Sequence, residues 1–299
     1  MITLGDLASL VAAHPTELAL PVAGLTIAGR VYDLDAQPLL MGVVNLSRDS
    51  TYRDSIAIST ESAVRRGRIL AAQGAGLVDV GAESTTLRAA RVSSADQVAA
   101  LVPVVAALSV EGIATSVEAY DADVVRACLA AGAAVVNLTG TEHSDEILDL
   151  VAQHDAAVIL CFMPGPTARD VGELPVDGDP IPALRDHFAP RIEHARARGV
   201  QQIVIDPGLG FYYANLTTPA VRAQQQAALL ASTFRLHDLG VPVCQALPHA
   251  FDLFEEEFRT AEGFFAVLAL LGRANVLRVH EVAHVAAVSR AMHALHITP

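Results

Sequence analysis

Eight times along the chain a short apolar run rich in valine and isoleucine gives way to a longer stretch with helical spacing, and this alternation restricts the fold more than any other feature. Runs such as GVVNL, LVDVG, AVVNL and IVIDPG are apolar at successive positions, which suits parallel strands covered by helices rather than a sheet with one wet face. The strands are read at Leu39–Leu46, Leu77–Gly81, Ile113–Glu118, Val135–Thr139, Ala157–Met163, Gln202–Asp206, Pro242–Leu247 and Val276–His280. Helix starts fall between them: Thr60 with Glu61, Ser94 with Asp96, Asp121 before DADVVRACLAAGA, and Ser144 with Asp145 and Glu146. Further helices are read at Ile181–Arg198, Pro219–Leu239, Leu253–Leu271 and Val282–Leu295. Eight alternations close a barrel, so the predicted class is α/β, a (β/α)8 TIM barrel. Its rival is an open doubly wound sheet, which usually has fewer strands and a glycine-rich phosphate loop after the first; NLSRDSTY is no such loop. Residues 1–38 precede the first strand as a short N-terminal extension, where VAGLTIAGRVYDL reads as a hairpin closing the barrel bottom, and the barrel runs 39–299.

Composition excludes several classes of function. At 299 residues the chain suits one barrel domain, and its formal net charge of −13 argues against a nucleic-acid partner, which needs clustered cations. There is no lysine, so an anionic substrate must be met by arginine or by backbone N–H groups. The longest apolar candidate, Phe264–Leu271, is far short of the roughly 18 residues of a membrane span. Met1–Ala13 carries Asp6 and no basic residue, unlike a secretory signal, so a cytoplasmic protein is expected. Cys128, Cys161 and Cys244 each sit in apolar surroundings without metal-site spacing, as free buried thiols do.

Barrel chemistry sits at the C-terminal strand ends, where the βα loops converge. Polar residues fall there on six strands: Asn45; Asp79 with Glu83 to Thr85; Glu118; Asn137; Asp206; and Arg278 with His280. Any one of them is explained as a strand-end cap, a core histidine or, for Arg278, a surface pair with Glu281. Together they predict a polar pocket in one mouth.

These strand ends carry a resemblance to the dihydropteroate synthase family. MGVVNLSRDS resembles its MGIxNxTPDSF, GAGLVDVGAEST its GAxxIDIGGEST, IVIDPGLGF its DPGIGF block and RVHEV its closing RVHDV; SVEAY and AGAAVVN match more weakly. The matches run in order from about residue 39 onward. The resemblance implies that Glu118, Asn137 and Asp206 read a pterin, whose amino and ring N–H edge calls for carboxylate and amide partners. It places Asn45, Arg278 and His280 at the pyrophosphate leaving group, with Mg2+ on Asn45. It also implies small-molecule partners, a pterin pyrophosphate and an aromatic amine such as 4-aminobenzoate. A homodimer through the late helices is expected as well, since GFFAVLALLG is apolar all round.

The pattern breaks above the pterin floor. Where the family reads GxSRKSF, with a lysine near the pterin, this chain reads VPVCQALPHAFD, which puts Pro248, His249 and Ala250 at the Ser, Arg and Lys positions. His249 is the catalytic substitute within reach, beside Arg278 and His280. In the second loop Thr85 is kept and Arg88 is a displaced substitute for an expected arginine; in the first, Arg48 and Thr51 replace a proline and a phenylalanine. Two classes of function therefore stand: a synthase-like transferase, or a pterin-binding paralogue that has lost the reaction or acts on an altered pterin. Methyl transfer from a methyl-folate needs no pyrophosphate site, and Asn45, Arg278 and His280 weigh against it.

Overall fold

The computed structural model describes residues 1–47, 52, 55–84, 89–163, 165–167, 178–211, 213, 215–216 and 218–295. Helices α1 (Leu4–Ala13) and α2 (Pro15–Leu18) lead into an antiparallel hairpin of β1 (Leu25–Ile27) and β2 (Arg30–Tyr32). Eight parallel strands follow: β3 (Leu39–Asn45), β4 (Leu77–Gly81), β5 (Thr115–Ala119), β6 (Val135–Leu138), β7 (Ala157–Cys161), β8 (Gln202–Asp206), β9 (Cys244–Ala246) and β10 (Val276–Val279). Their order is β8-β7-β6-β5-β4-β3-β10-β9. A parallel bridge between Ile205 and Val243 joins the two ends and completes the barrel.

Between the strands run α3 (Thr60–Ala72), α4 (Ser94–Val110), α5 (Ala122–Ala130), α6 (Ser144–Gln153), α7 (Ile181–Ala197), α8 (Pro219–Ala231), α9 (Phe251–Phe254) and α10 (Ala261–Leu271); α11 (Val282–Ala294) follows β10. Two segments read as continuous helix are broken: 3-10 turns occupy Thr233–Leu239 after α8 and Glu255–Thr260 before α10. Three of these starts are fixed by first-turn N–H groups donating to a capping side chain: Ser62 to Ser59, Asp96 to Ser93, and Asp123 and Val124 to Asp121. Strands such as β7, buried along its whole length, show why the runs lack alternation: one face meets the barrel interior and the other the helices.

The hairpin lies at the N-terminal end of the strands. Leu25 and Ile27 are buried, and Thr26 N–H donates to Oε1 of Gln202, the first residue of β8 (2.8 Å). The opposite mouth is left to the loops that build the site. Cys128, Cys161 and Cys244 are free and buried. Among the described residues no helix is long and apolar enough to cross a membrane.

Candidate functional site

A cavity of about 450 Å³ opens at the C-terminal mouth, and Asn45, Glu118, Asn137, Asp206, Arg278 and His280 all line it. With Cys161 of β7 and Ala246 of β9, seven of the eight barrel strands deliver side chains to one space. Its floor is a buried charge cluster centred on Arg278, whose Nε donates to Asp79 Oδ2 (2.8 Å) and whose Nη2 donates to Glu118 Oε2 (2.6 Å). Asp79 is fully buried and also accepts from Asn137 Nδ2 (3.2 Å), while Asn137 Oδ1 accepts from the Cys161 thiol (3.3 Å). Arg278 is therefore no surface partner of Glu281; it is turned into the barrel.

Three carboxylates face one guanidinium here, a deficit of positive charge in a poorly solvated space. Burial raises the Glu118 carboxyl to about 7, against the opposing pull of Arg278. Asp206 is raised to about 6, again chiefly by burial, with the Gly208 N–H and Arg278 opposing. Burial weakens the Arg278 cation, but Asp79 and Glu118 outweigh it and keep the guanidinium charged.

The Asp-Pro-Gly turn after β8 aims Asp206. Gly208 N–H donates to its Oδ1 (2.7 Å), and the Tyr213 hydroxyl donates to the Gly208 carbonyl (3.0 Å). Gly208 has φ +85°, and a Cβ there would stand 2.2 Å from the Tyr213 hydroxyl oxygen. Gly208→Ala is thus expected to cost about 1–3 kcal/mol, through left-handed strain and the lost Tyr213 contact. Chemical denaturation reads this directly: an unmoved midpoint would mean the turn has no such constraint.

The upper wall holds the histidines. His280 donates its backbone N–H to both oxygens of Glu262 (2.9 and 3.0 Å), its ring Nδ1 lies 3.1 Å from Oε1, and Glu281 N–H donates to Oε2 (2.8 Å). His249 Nε2 stands 3.2 Å from the same Oε1 but is not aligned as a hydrogen bond. Tyr52 stacks on His249 (ring centroids 4.4 Å apart), tilts against His280 (4.5 Å), and donates its hydroxyl to Glu281. Burial lowers His280 to about 4, so its ring is neutral at pH 7 and holds its proton on Nδ1, facing Glu262. Burial alone would raise Glu262, but its contacts with His249 and His280 hold it below the usual carboxylate range. Asn45 sits beside this wall, its Nδ2 donating to Ser55 Oγ (2.6 Å).

The predicted residues thus come together with two exceptions, Thr85 and Arg88, which lie outside the described residues. Arg48 and Thr51 lie outside them too. Ala250, at the lysine position, has a left-handed backbone (φ 44°) at the head of α9. Glu262 and Tyr52 were not picked out from sequence. A carboxylate within the apolar AEGFFAVLALL was the available signal for Glu262, because a charge on the inner face of such a helix must have buried partners.

Comparison with known proteins agrees with this geometry. The curated dihydropteroate synthase of Synechocystis is 29% identical over 282 residues, 91% of this chain and 94% of its own length. That of Mycobacterium leprae is 33% identical over 207 residues, 68% of this chain and 70% of its own. Among solved structures, the Xanthomonas albilineans dihydropteroate synthase with 4-aminobenzoic acid superposes with a TM-score of 0.77 at 31% identity, covering 93% of this chain and 100% of that one. The family model described as "Pterin binding enzyme" matches residues 41–280, which include every strand of the barrel but the first two residues of β3, so the chain belongs to the family of pterin binding enzymes.

Proposed function

We propose that this chain condenses a 6-hydroxymethyl-dihydropterin pyrophosphate with 4-aminobenzoate, the dihydropteroate synthase reaction of folate biosynthesis. The floor carries this reading. The carboxylates Asp79, Glu118 and Asp206 outnumber the guanidinium of Arg278 among them, and a pterin edge supplies further donors as amino and ring N–H groups. Asp206, Glu118 and Asn137 take that edge, while Arg278 opposes the burial that raises both carboxyls. The amine nitrogen attacks the methylene carbon as the C–O bond to pyrophosphate breaks, and the amine then gives up a proton. Asn45, His280 and His249 line the cavity above the floor, the space left for the leaving group. His280 becomes a donor to phosphate oxygens through Nε2 once it takes a proton, which an arriving anion favours.

A Mg2+ ion fits this site only with the substrate's help. Asn45 is one neutral amide whose nitrogen is committed to Ser55, and an amide oxygen with waters and phosphate oxygens is a donor set that Mg2+ accepts. Bound there, the ion would neutralise charge on the departing pyrophosphate.

The test is product formation from the pterin pyrophosphate and 4-aminobenzoate with Mg2+. The lysine-free wall with Ala250 sets the expected rate: loss of one preorganised cation typically costs about 10²- to 10³-fold. Turnover well below about 1 per second is therefore expected, with intact pterin affinity. Pterin binding with no product at all would favour the paralogue that has lost the reaction. Absence of pterin binding would refute both.

Residues 1–38 are taken as an extension and 39–299 as the pterin-binding unit, on the distinct pairing of the β1–β2 hairpin. The reduced, buried cysteines support a cytoplasmic site. Dimerisation through the late helices is supported by α10: most of it is covered within the chain, yet Phe264 and Leu271, two turns apart on one side, remain 46% and 47% exposed. Sedimentation at micromolar concentration should find a dimer, and Phe264→Glu should yield a monomer; a monomeric native protein counts against this interface.

A further inference from the structure

We propose that His249, Glu262 and His280 form a site for a zinc-type divalent metal ion, set in the pocket wall and distinct from the Asn45 position. Each side chain offers one ligand atom, and these atoms lie within 4.8 Å of one another. Two imidazoles and a carboxylate suit late first-row ions, whereas Mg2+ seeks oxygen donors.

Two of the three separations between ligand atoms are those of a coordination shell. Ligand atoms around a tetrahedral ion with bonds of about 2.0–2.1 Å stand about 3.3 Å apart. Glu262 Oε1 stands 3.2 Å from His249 Nε2 and 3.1 Å from His280 Nδ1.

The frame is built in advance. Backbone N–H groups of His280 and Glu281 hold both oxygens of the fully buried Glu262. Tyr52 packs against both imidazoles. His249 Nε2 is shielded from solvent and stands 3.2 Å from Oε1, yet it has no aligned hydrogen-bond partner, a state that buried polar atoms rarely keep. A metal ion is the partner that fits between these atoms. His249 and His280 line the cavity, so three protein ligands leave a fourth position for a pocket oxygen, as in an open rather than a closed zinc site. Ligation through Nδ1 moves the ring proton of His280 to Nε2. The ion would also bring positive charge to a wall without lysine; that role, unlike the site, rests on the function proposed above.

Chelator-stripped full-length protein, free of pterin, is titrated with Zn2+ by calorimetry and with Co2+ by visible absorption. One ion per chain is expected, with the intense bands of four-coordinate Co2+. His249→Ala should weaken Zn2+ binding by about a hundredfold; the size-keeping His249→Gln serves where the alanine variant misfolds. No binding by native protein, undiminished affinity in a folded His249 variant, or displacement of Zn2+ by millimolar Mg2+ would each overturn the assignment. Because no pterin is present, failure of the synthase reaction leaves this outcome untouched.

Discussion

Asp206→Asn is expected to raise the melting temperature at pH 8 by several degrees while weakening pterin binding about a hundredfold. The carboxyl is buried and its pKa pushed up to about 6, against about 3.9 in an unfolded chain. Two units correspond to about 3 kcal/mol. The sign follows from where the protons go. Below about pH 4 the group is protonated in both states, and its favourable contribution is complete. As pH rises from about 4 to about 6 the unfolded chain releases its proton first, so stability falls, and above about pH 6 the full penalty persists. An asparagine carries no such penalty and keeps an oxygen for the Gly208 N–H. The gain should therefore be present at pH 8 and absent at pH 4. The ligand fares the opposite way, because an amide presents less acceptor strength, and a lost charge-assisted bond with an unpaired donor amounts to roughly 3 kcal/mol. In the native protein, pterin affinity should fall up to about tenfold per pH unit below 6 as Asp206 protonates. Thermal melts at the two pH values and calorimetry with a pterin check each part; an asparagine variant no more stable at pH 8 would mean that the carboxylate is not held at a cost.

Arg278→Met should destabilise the fold by about 3–5 kcal/mol at pH 8, a loss typical of removing one side of a buried ion pair. Asp79, fully buried, and Glu118 both lose their counter-charge, while methionine fills most of the volume. Glu118, already raised to about 7, rises further without the guanidinium and takes up a proton, which limits the damage. The deficit should then narrow as pH falls toward 5.5, and adding Asp79→Asn should recover part of it, because paired changes in one network are not additive. Urea denaturation at both pH values distinguishes this from simple loss of packing, which would give a pH-independent deficit.

Much of the molecule is local in origin and was legible without coordinates. The period of the apolar runs sets strand against helix, and each of the eight strands is found at its expected place, β5 starting two residues later and β9 shorter than read. A side chain at a strand's C-terminal end must face the barrel mouth however the rest packs, which is why Asn45, Glu118, Asn137, Asp206 and His280 could be assembled into one pocket on paper. Helix continuity was less legible: the breaks at Thr233–Leu239 and Glu255–Thr260 lie in stretches whose helical spacing is unbroken, and packing decides them.

The sequence by itself determined the barrel, the family and the set of polar residues at the mouth, since these rest on periodicity and on motifs contiguous in the chain. Only the tertiary structure decided which of those residues meet. Arg278 passes over its neighbour Glu281 for Asp79 and Glu118, on strands two and three places away around the barrel. Glu262, in the first turn of α10, turns inward beneath His249 and His280. Barrel closure creates these neighbours, and the protonation of Glu118, Asp206 and His280 follows from the burial and charges that many separate elements contribute together.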